Sequence, residues 1–228
     1  MGSEMCIRDS PTTGQVAARR LYRTAPPVCL TVPLISFCSD TVPVPSRALK
    51  IVSAGRLTKT KNHQAIIRAV AILRGRGLEI SLDILGEGPL REELEELRKS
   101  LGVQDLVDLP GFKEDWASHA PYRALVMASH HEGLCIVALE GMQKGIPVIA
   151  SVVGGMKDYM TERNTLVIPE NTPEAIADAI EDLIDNPERT AEQARSAHET
   201  VLSNYGVAAT RAAFNAVNKT LLALESNR

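Results

Sequence analysis

The stretch ASHHEGLCIVALEGMQKGIPVIA, from Ala128 to Ala150, contains the pattern that best indicates the fold of this chain. Its pattern predicts a polar turn, a helix over Cys135–Lys144 and the apolar strand IPVIA, which is typical of a strand buried on both faces. In such an α/β unit the turn before the helix faces the ligand crevice, and the first free N–H groups of the helix point at any anion bound there. Glu132 and Glu140 would flank that place.

Outward from this stretch, apolar runs and amphipathic helical patterns alternate along the chain from Leu49 onward. Thr172 and Pro173 are typical of the first positions of a helix, and Asn62 is predicted to cap an earlier one. The predicted strands are KIVSA, LEISLDIL, DLVDLPGF, ALVMAS, IPVIA and TLVIP. Strands alternating with helices predict an α/β fold with a doubly wound parallel sheet, which occupies residues 47–228.

The first 46 residues lack this regularity. Prolines interrupt every long element there, and the apolar run VCLTVPLISF is broken at Pro33. We interpret residues 1–46 as an irregular leader or as the remnant of a preceding domain.

Composition excludes several classes of function. The 228 residues carry a formal net charge of −3, so no global field attracts nucleic acid. No apolar run reaches the roughly 20 residues that a membrane span requires. The 4 cysteines form no CxxC pair and show no metal-ligand spacing. We therefore expect a cytoplasmic protein without nucleic-acid partners.

The loops that follow the predicted strands contain the candidate binding residues. The loop GRLTKTKN places Arg56, Lys59 and Lys61 just before a helix, where cations and helix N–H groups suit a diphosphate, although a solvated basic loop is the alternative. Gly86 and Gly88 would let the backbone pass closely around a base, or would form a simple turn. Gly111 belongs to a loop that either walls a base pocket or is a structural turn.

Two acids complete the candidate site. A carboxylate grips paired hydroxyls, so Glu132 and Glu140 at one crevice suit a nucleotide-sugar, whereas each alone would more often be a surface acid of a helix. Gly154 and Gly155 permit close approach of the backbone to a phosphate or sugar, or form a turn.

Histidines and aromatic residues carry weaker signals. The adjacent His130 and His131 point in different directions, so we predict no metal site there, although either could contact a substrate. Trp116 and Tyr122 are predicted to pack against the sheet rather than to stack on a base.

Taken together, the loops resemble those of retaining glycosyltransferases of family 4, which have the GT-B fold with two Rossmann-like halves. The similarity runs from about Leu49 to Tyr205 and rests on the order and spacing of several pieces. These are GRLTKTKNHQAIIRAV, LGEGPLREELEEL, VDLPGF, SHHEGLCIVALEGMQKGIPVIAS and a GG pair followed by an acid. The resemblance implies the C-terminal, donor-binding half of that fold.

The resemblance also implies roles for individual residues. Arg56 and Lys61 would neutralise the diphosphate leaving group, and Glu132, the third catalytic residue, would hold hydroxyls of the donor sugar. Glu140 would hold the ribose hydroxyls. The implied donor-binding residues are Arg56, Lys61, Gly86, Gly88, Gly111, Glu132, Gly133, Leu134, Cys135 and Glu140. Neither a metal nor another cofactor is expected.

We thus expect transfer of a hexose-type sugar, with retention, from a UDP- or GDP-sugar to an acceptor that the sequence does not identify. The chain would be a fragment whose N-terminal acceptor domain belongs to the parent chain or to a partner. Peripheral association of the full enzyme with the inner membrane face is a further expectation. The alternatives are a non-catalytic nucleotide-sugar-binding or regulatory subunit and a sugar-nucleotide epimerase of related fold.

Overall fold

The computed structural model describes residues 49–119 and 122–225. The predicted leader over residues 1–46, with the run VCLTVPLISF, lies outside the described residues.

Strands and helices alternate as the sequence predicts. The strands are β1 (Leu49–Ala54), β2 (Ile80–Leu85), β3 (Val107–Gly111), β4 (Ala124–Met127), β5 (Val148–Ala150) and β6 (Leu166–Val167). The helices are α1 (His63–Gly75), α2 (Arg91–Ser100), α3 (Trp116–His119), α4 (Ile136–Gln143), α5 (Pro173–Asp185), α6 (Pro187–Tyr205) and α7 (Val207–Glu225). Two 3₁₀ turns cover Lys59–Lys61 and Gly154–Asp158.

The six strands form one parallel sheet in the order β3-β2-β1-β4-β5-β6. This arrangement confirms the predicted doubly wound α/β fold. The chain reverses its direction of winding between β1 and β4, where Ile51 pairs with Ala124 and Val52 with Leu125. A crevice opens at the carboxyl ends of the strands at such a switch point. The loops after β1 and β4 therefore form its two sides.

A continuous apolar core joins the sheet to α1, α2 and α5. Ile66 and Val70 of α1 are fully buried in the same cluster as Ile176 and Ile180 of α5. Burying each such side chain contributes about 1.5–3 kcal/mol relative to exposure. The helical spacing of these residues puts the apolar face of each helix toward the sheet.

The two predicted helix caps have different outcomes. Thr172 is confirmed, since its hydroxyl accepts a hydrogen bond from the backbone N–H of Ala175 at 3.3 Å. Asn62 precedes α1, but its side chain makes no capping bond, so the prediction of a side-chain cap is wrong. A capping residue normally has extended backbone, whereas Asn62 has φ 53° because the 3₁₀ turn runs directly into the helix. Its amide instead donates to the carbonyl of Asn171 at 3.4 Å.

The described residues divide into two compact units, one ending at Asn204 and the other beginning at Tyr205. The second contains α7, on which Phe214 is exposed. None of the described helices combines the length and apolar character that crossing a membrane requires.

Candidate functional site

An ion pair joins the two loops at the switch point. Nζ of Lys61, from the loop after β1, lies 2.5 Å from Oε1 of Glu132, from the loop after β4. The Ser129 hydroxyl donates to the same oxygen at 2.6 Å, and the Glu132 side chain is only 7% exposed. The backbone N–H of His130 also donates to the carbonyl of Thr60 at 2.8 Å. One acid and one cation are thus fixed where the fold opens its ligand crevice.

The glycine pair after β5 packs directly against the Glu132 loop. Gly154 has φ +56°, and a Cβ there would lie 1.9 Å from the Glu132 carbonyl oxygen. The Gly155 N–H donates to that carbonyl at 3.3 Å, and a Cβ on Gly155 would lie 2.5 Å from the oxygen of Gly133. The glycine pair thus packs closely against the backbone of its own chain, and its approach to a phosphate or sugar stays a prediction.

A cleft of about 890 Å³ lies beside the Lys61–Glu132 ion pair, at the carboxyl ends of β1 and β2. Its wall contains the exposed Arg56 and the half-buried Glu140. The indole Nε1 of Trp116 donates to Oε2 of Glu140 at 2.9 Å. The lining residues are Ala54, Gly55, Arg56, Leu85, Gly86, Glu87, Phe112, Lys113, Glu114, Asp115, Trp116, Ala117, Val137, Glu140, Gln143 and Lys144.

Two of the predicted glycines hold adjacent loops together. A Cβ on Gly86 would lie 2.1 Å from the carbonyl oxygen of Gly55, and one on Gly88 would lie 2.5 Å from that of Leu57. The Leu57 N–H donates to the carbonyl of Glu87 at 3.0 Å, so the loop after β1 and the loop after β2 interlock. Any side chain at Gly86 or Gly88 would push the Arg56 loop away from its neighbour.

The third predicted glycine, Gly111, has φ +85° and contacts the same region. Its carbonyl accepts the N–H of Gly86 at 3.0 Å, and a Cβ there would meet the Glu87 carboxylate at 2.7 Å. Phe112, the residue after it, is exposed and lines the cleft.

The residues that lead into α4, Gly133 to Cys135, follow Glu132 directly and are not among the residues that line the cleft. Cys135 precedes the helix with φ 56°, and the Tyr159 hydroxyl donates to the carbonyl of Leu134 at 2.7 Å. Gly133 is exposed. Burial, and after it the charge of Glu132, raises the pKa of the Cys135 thiol to about 12. The thiol therefore stays protonated at neutral pH and packs against the Met127 sulfur at 3.6 Å.

A buried histidine lies under the cation loop. His63 is 3% exposed, and its Nδ1 lies 3.2 Å from the hydroxyl oxygen of Ser53 on β1. Burial, and after it the charge of Lys61, lowers the pKa of His63 to about 4. The imidazole is therefore neutral at physiological pH.

The structure brings five of the predicted residues together in two adjacent groups, and the other five do not line the cleft: Gly88, Gly111, Gly133, Leu134 and Cys135. Arg56, Gly86 and Glu140 line the cleft, while Lys61 and Glu132 bond to each other beside it. Gly55 connects the groups, because it lines the cleft and its Cβ position lies 3.4 Å from Cε of Lys61.

Sequence reasoning missed three contributors, and each had a weak signal. Ser129 stands three residues before Glu132, and His63 follows the basic loop directly. Trp116 is buried, as expected of a residue that packs against the sheet, but its indole also bonds Glu140. Being the only tryptophan of the chain, it was the most visible of the three.

A parallel doubly wound sheet with charged groups at its switch point defines a Rossmann-like domain with a ligand cleft. Residues 40–200 match the family described as glycosyl transferases group 1. The chain belongs to this family.

Curated relatives bear similar names. The chain is 32% identical over 168 residues to alpha-D-kanosaminyltransferase of Streptomyces kanamyceticus, covering 70% of this chain and 42% of that protein. It is 34% identical over 164 residues to the lipopolysaccharide core biosynthesis glycosyltransferase LpsE of Rhizobium meliloti, covering 71% and 47%. The chain thus spans less than half the length of these relatives.

Solved structures agree on the fold. The C-terminal domain of a glycosyl transferase group 1 family protein (LpcC) from Francisella tularensis superposes with a TM-score of 0.62 at 25% identity, over 70% of this chain and 87% of that one. Anabaena Alr3699/HepE, solved in complex with UDP, gives a TM-score of 0.68 at 20% identity, over 78% and 49%. The prediction of a Rossmann-like domain equivalent to the C-terminal half of a GT-B glycosyltransferase is confirmed.

Proposed function

We propose that this domain binds a UDP- or GDP-linked hexose-type sugar and serves its transfer, with retention, as in family 4 glycosyltransferases. The observation that carries the proposal is the Lys61–Glu132 pair at the switch point, 2.5 Å apart and beside a cleft of about 890 Å³. That volume lies within the usual range of small-molecule sites. A cation for a diphosphate and an acid for sugar hydroxyls are adjacent there.

The leaving diphosphate is the first ligand group to be accommodated. Its negative charge grows during transfer, and cations positioned beforehand stabilise that charge most effectively. Arg56 is exposed on the cleft wall, and Lys61 lies at the adjoining switch point. In our proposal the diphosphate shares Lys61 with Glu132, which frees carboxylate capacity for the donor sugar's hydroxyls.

The rest of the donor occupies the cleft. Glu140 lines it and would accept hydrogen bonds from the paired ribose hydroxyls. Gly133, Leu134 and Cys135 would present backbone to the sugar and phosphate, while Gly86, Gly88 and Gly111 shape the wall near the base. No metal enters this proposal, since side-chain cations and helix N–H groups compensate the charge. We expect nucleotide binding to be unchanged by EDTA.

The acceptor site is proposed to lie on a separate domain, supplied by additional chain or by a partner. The relatives are more than twice as long as the matched segment, since the chain covers only 42% and 47% of two of them. Transfer also requires that the acceptor be held in line and that water be excluded from the closed crevice.

Titration calorimetry of the 228-residue chain with UDP, GDP and their glucose and mannose conjugates tests the proposal. We expect the nucleotides of one of the two bases, uracil or guanine, to bind. Arg56→Ala should weaken that binding about tenfold, because one charge-assisted contact is lost. Lys59→Ala is the matched control, because Lys59 is an exposed cation of the same loop.

Equal losses of affinity in both variants would mean that the loop attracts the nucleotide only through its overall positive charge and that Arg56 makes no specific contact. Absence of binding by every nucleotide would refute the proposal. If nucleotide binds and transfer stays absent even after an acceptor-domain partner is added, the non-catalytic binding subunit becomes the better description.

A further inference from the structure

We infer that Trp116 is a positioning residue that orients the Glu140 carboxylate toward the ribose of the nucleotide. The inference deepens the proposed function and depends on it. It gives a functional role to Trp116, which the sequence pattern predicted only to pack against the sheet.

The contact that supports the inference is the hydrogen bond from the indole Nε1 of Trp116 to Oε2 of Glu140, at 2.9 Å. A carboxylate has two oxygens with about four acceptor sites, so one donor leaves most of its capacity available. Indole is a donor only and carries no charge. Trp116 can therefore fix Glu140 without neutralising it, which a lysine or arginine at this place would do.

Trp116 is itself held firmly. Its side chain is 7% exposed, and its ring centroid lies 6.2 Å from that of Tyr122. The Tyr122 hydroxyl donates to Oδ2 of Asp83 on β2 at 2.7 Å, and Lys50 pairs with the same oxygen at 2.9 Å. A network that crosses from β1 to β2, in which Asp83 and Tyr122 are buried, thus supports the indole that reaches Glu140.

Helix α4 is shaped to receive the indole. Gly141 follows Glu140, and a Cβ on it would lie 3.5 Å from Cη2 of Trp116 and 3.2 Å from Cδ2 of Leu125. The bare glycine therefore lets the ring lie close to the helix backbone. The indole reaches the acid from the side of the helix, while Glu140 also lines the cleft.

Positioning of this kind acts through conformational entropy. A free glutamate side chain samples several rotamers and loses that freedom when a ligand binds, whereas a fixed carboxylate has already lost it. The effect should appear only for ligands that use Glu140. A nucleotide that lacks the ribose 2′-hydroxyl would gain little from it.

The experiment compares binding of the ribonucleoside diphosphate and its 2′-deoxy form by the 228-residue chain, using the base that the wild type prefers. We expect the wild type to bind the ribo form about tenfold more tightly, because a hydrogen bond to a charged group is lost in the deoxy form. Glu140→Gln should reduce this ratio to about threefold or less, and Trp116→Phe should do the same.

A second form of the variant isolates the N–H group. Since the chain contains a single tryptophan, growth on benzothienylalanine replaces only this indole by an isostere without the N–H. The packing is then kept and only the hydrogen bond is removed. Phe112→Leu is the matched control, since Phe112 is an exposed aromatic residue of the same cleft, and it should keep the wild-type ratio even if both affinities fall.

The outcomes separate the two ideas. A reduced ratio in both Trp116 substitutions, with the Phe112 control unchanged, supports the inference. A wild-type ratio in the benzothienylalanine protein overturns it and leaves nucleotide binding intact. Equal affinity of the wild type for both nucleotides also overturns it, because Glu140 would then not contact the ribose. Failure of the wild type to bind any nucleotide refutes the proposed function itself.

Discussion

The two acids of the candidate site are held in opposite ways. Glu132 is buried, paired with the cation Lys61 and bonded to Ser129, so its charge is balanced before any ligand arrives. Glu140 is half-buried, lines the cleft and is bonded to the indole of Trp116, a donor that carries no charge. In the proposed function the first acid would therefore have to exchange partners to bind a ligand, whereas the second has carboxylate oxygen available for hydrogen bonds from hydroxyl groups.

The largest effect on this difference between the two acids is expected from a change in the backbone that packs against Glu132. Gly154→Ala should destabilise the domain by about 3 kcal/mol or more, because a side chain would meet the Glu132 carbonyl at 1.9 Å in addition to adopting a left-handed φ. Gly145→Ala is the control: its φ is +69° with nothing within 4 Å of the added Cβ, so only the strain of about 1 kcal/mol applies. Urea unfolding measures both, and equal losses would contradict the expectation.

The second-largest effect is expected from acid pH, which should lower the free energy of unfolding through His63, the buried histidine next to the Lys61 loop. Burial and the charge of Lys61 lower the folded-state pKa of His63 from 6.5 to about 4, so the unfolded chain binds the proton more readily. Stability from this group is complete above pH 6.5 and is lost as pH falls toward 4, with about 2 kcal/mol gone by pH 5. Unfolding free energies of wild type and His63→Gln at pH 7.5 and pH 5 measure the difference.

The exposed His131→Gln variant should keep the wild-type pH dependence. A His63→Gln variant that loses as much stability as wild type between the two pH values would show that other groups are responsible.

The two acids should also differ in how strongly they couple to their partners. A double-mutant cycle with Lys61→Met and Glu132→Gln should give a coupling of about 1.5 kcal/mol, since the pair is largely shielded from water. The coupling is read from denaturant midpoints of the four proteins. A value near zero would mean that solvent screens the pair despite the 7% exposure of the Glu132 side chain.

The smallest effect is expected at the other acid. The corresponding cycle with Trp116→Phe and Glu140→Gln should give a coupling of about 1 kcal/mol or less, as is typical of a hydrogen bond at a partly exposed group. Coupling larger than that of Lys61 and Glu132 would reverse the ranking of the two acids.

Much of the fold could be predicted because its signals are local. Alternating apolar runs and helical spacing predicted all six strands, and the Thr172–Pro173 pair predicted the start of α5. The Asn62 cap failed because the sequence does not reveal that a 3₁₀ turn forces its backbone into the left-handed region.

The site was only partly predictable. The loops that contain its residues were found because the carboxyl ends of parallel strands share one edge. The bond between Lys61 and Glu132 joins residues 71 positions apart, and the bond from Trp116 to Glu140 joins residues 24 apart. No periodicity links such positions, so their pairing could not be derived from spacing.

Local sequence patterns were enough to predict the alternation of strands and helices, the parallel sheet and the edge of that sheet where a ligand site belongs. Hydrophobic periodicity and turn chemistry act over only a few residues, so they can be identified without the fold. Only the packing of distant segments reveals that Glu132 is paired with a cation, whereas Glu140 is bonded to a neutral indole and lines the cleft. That difference depends on how closely Gly154 lets its loop approach Glu132 and on where the buried indole of Trp116 points, both of which arise only when distant segments pack.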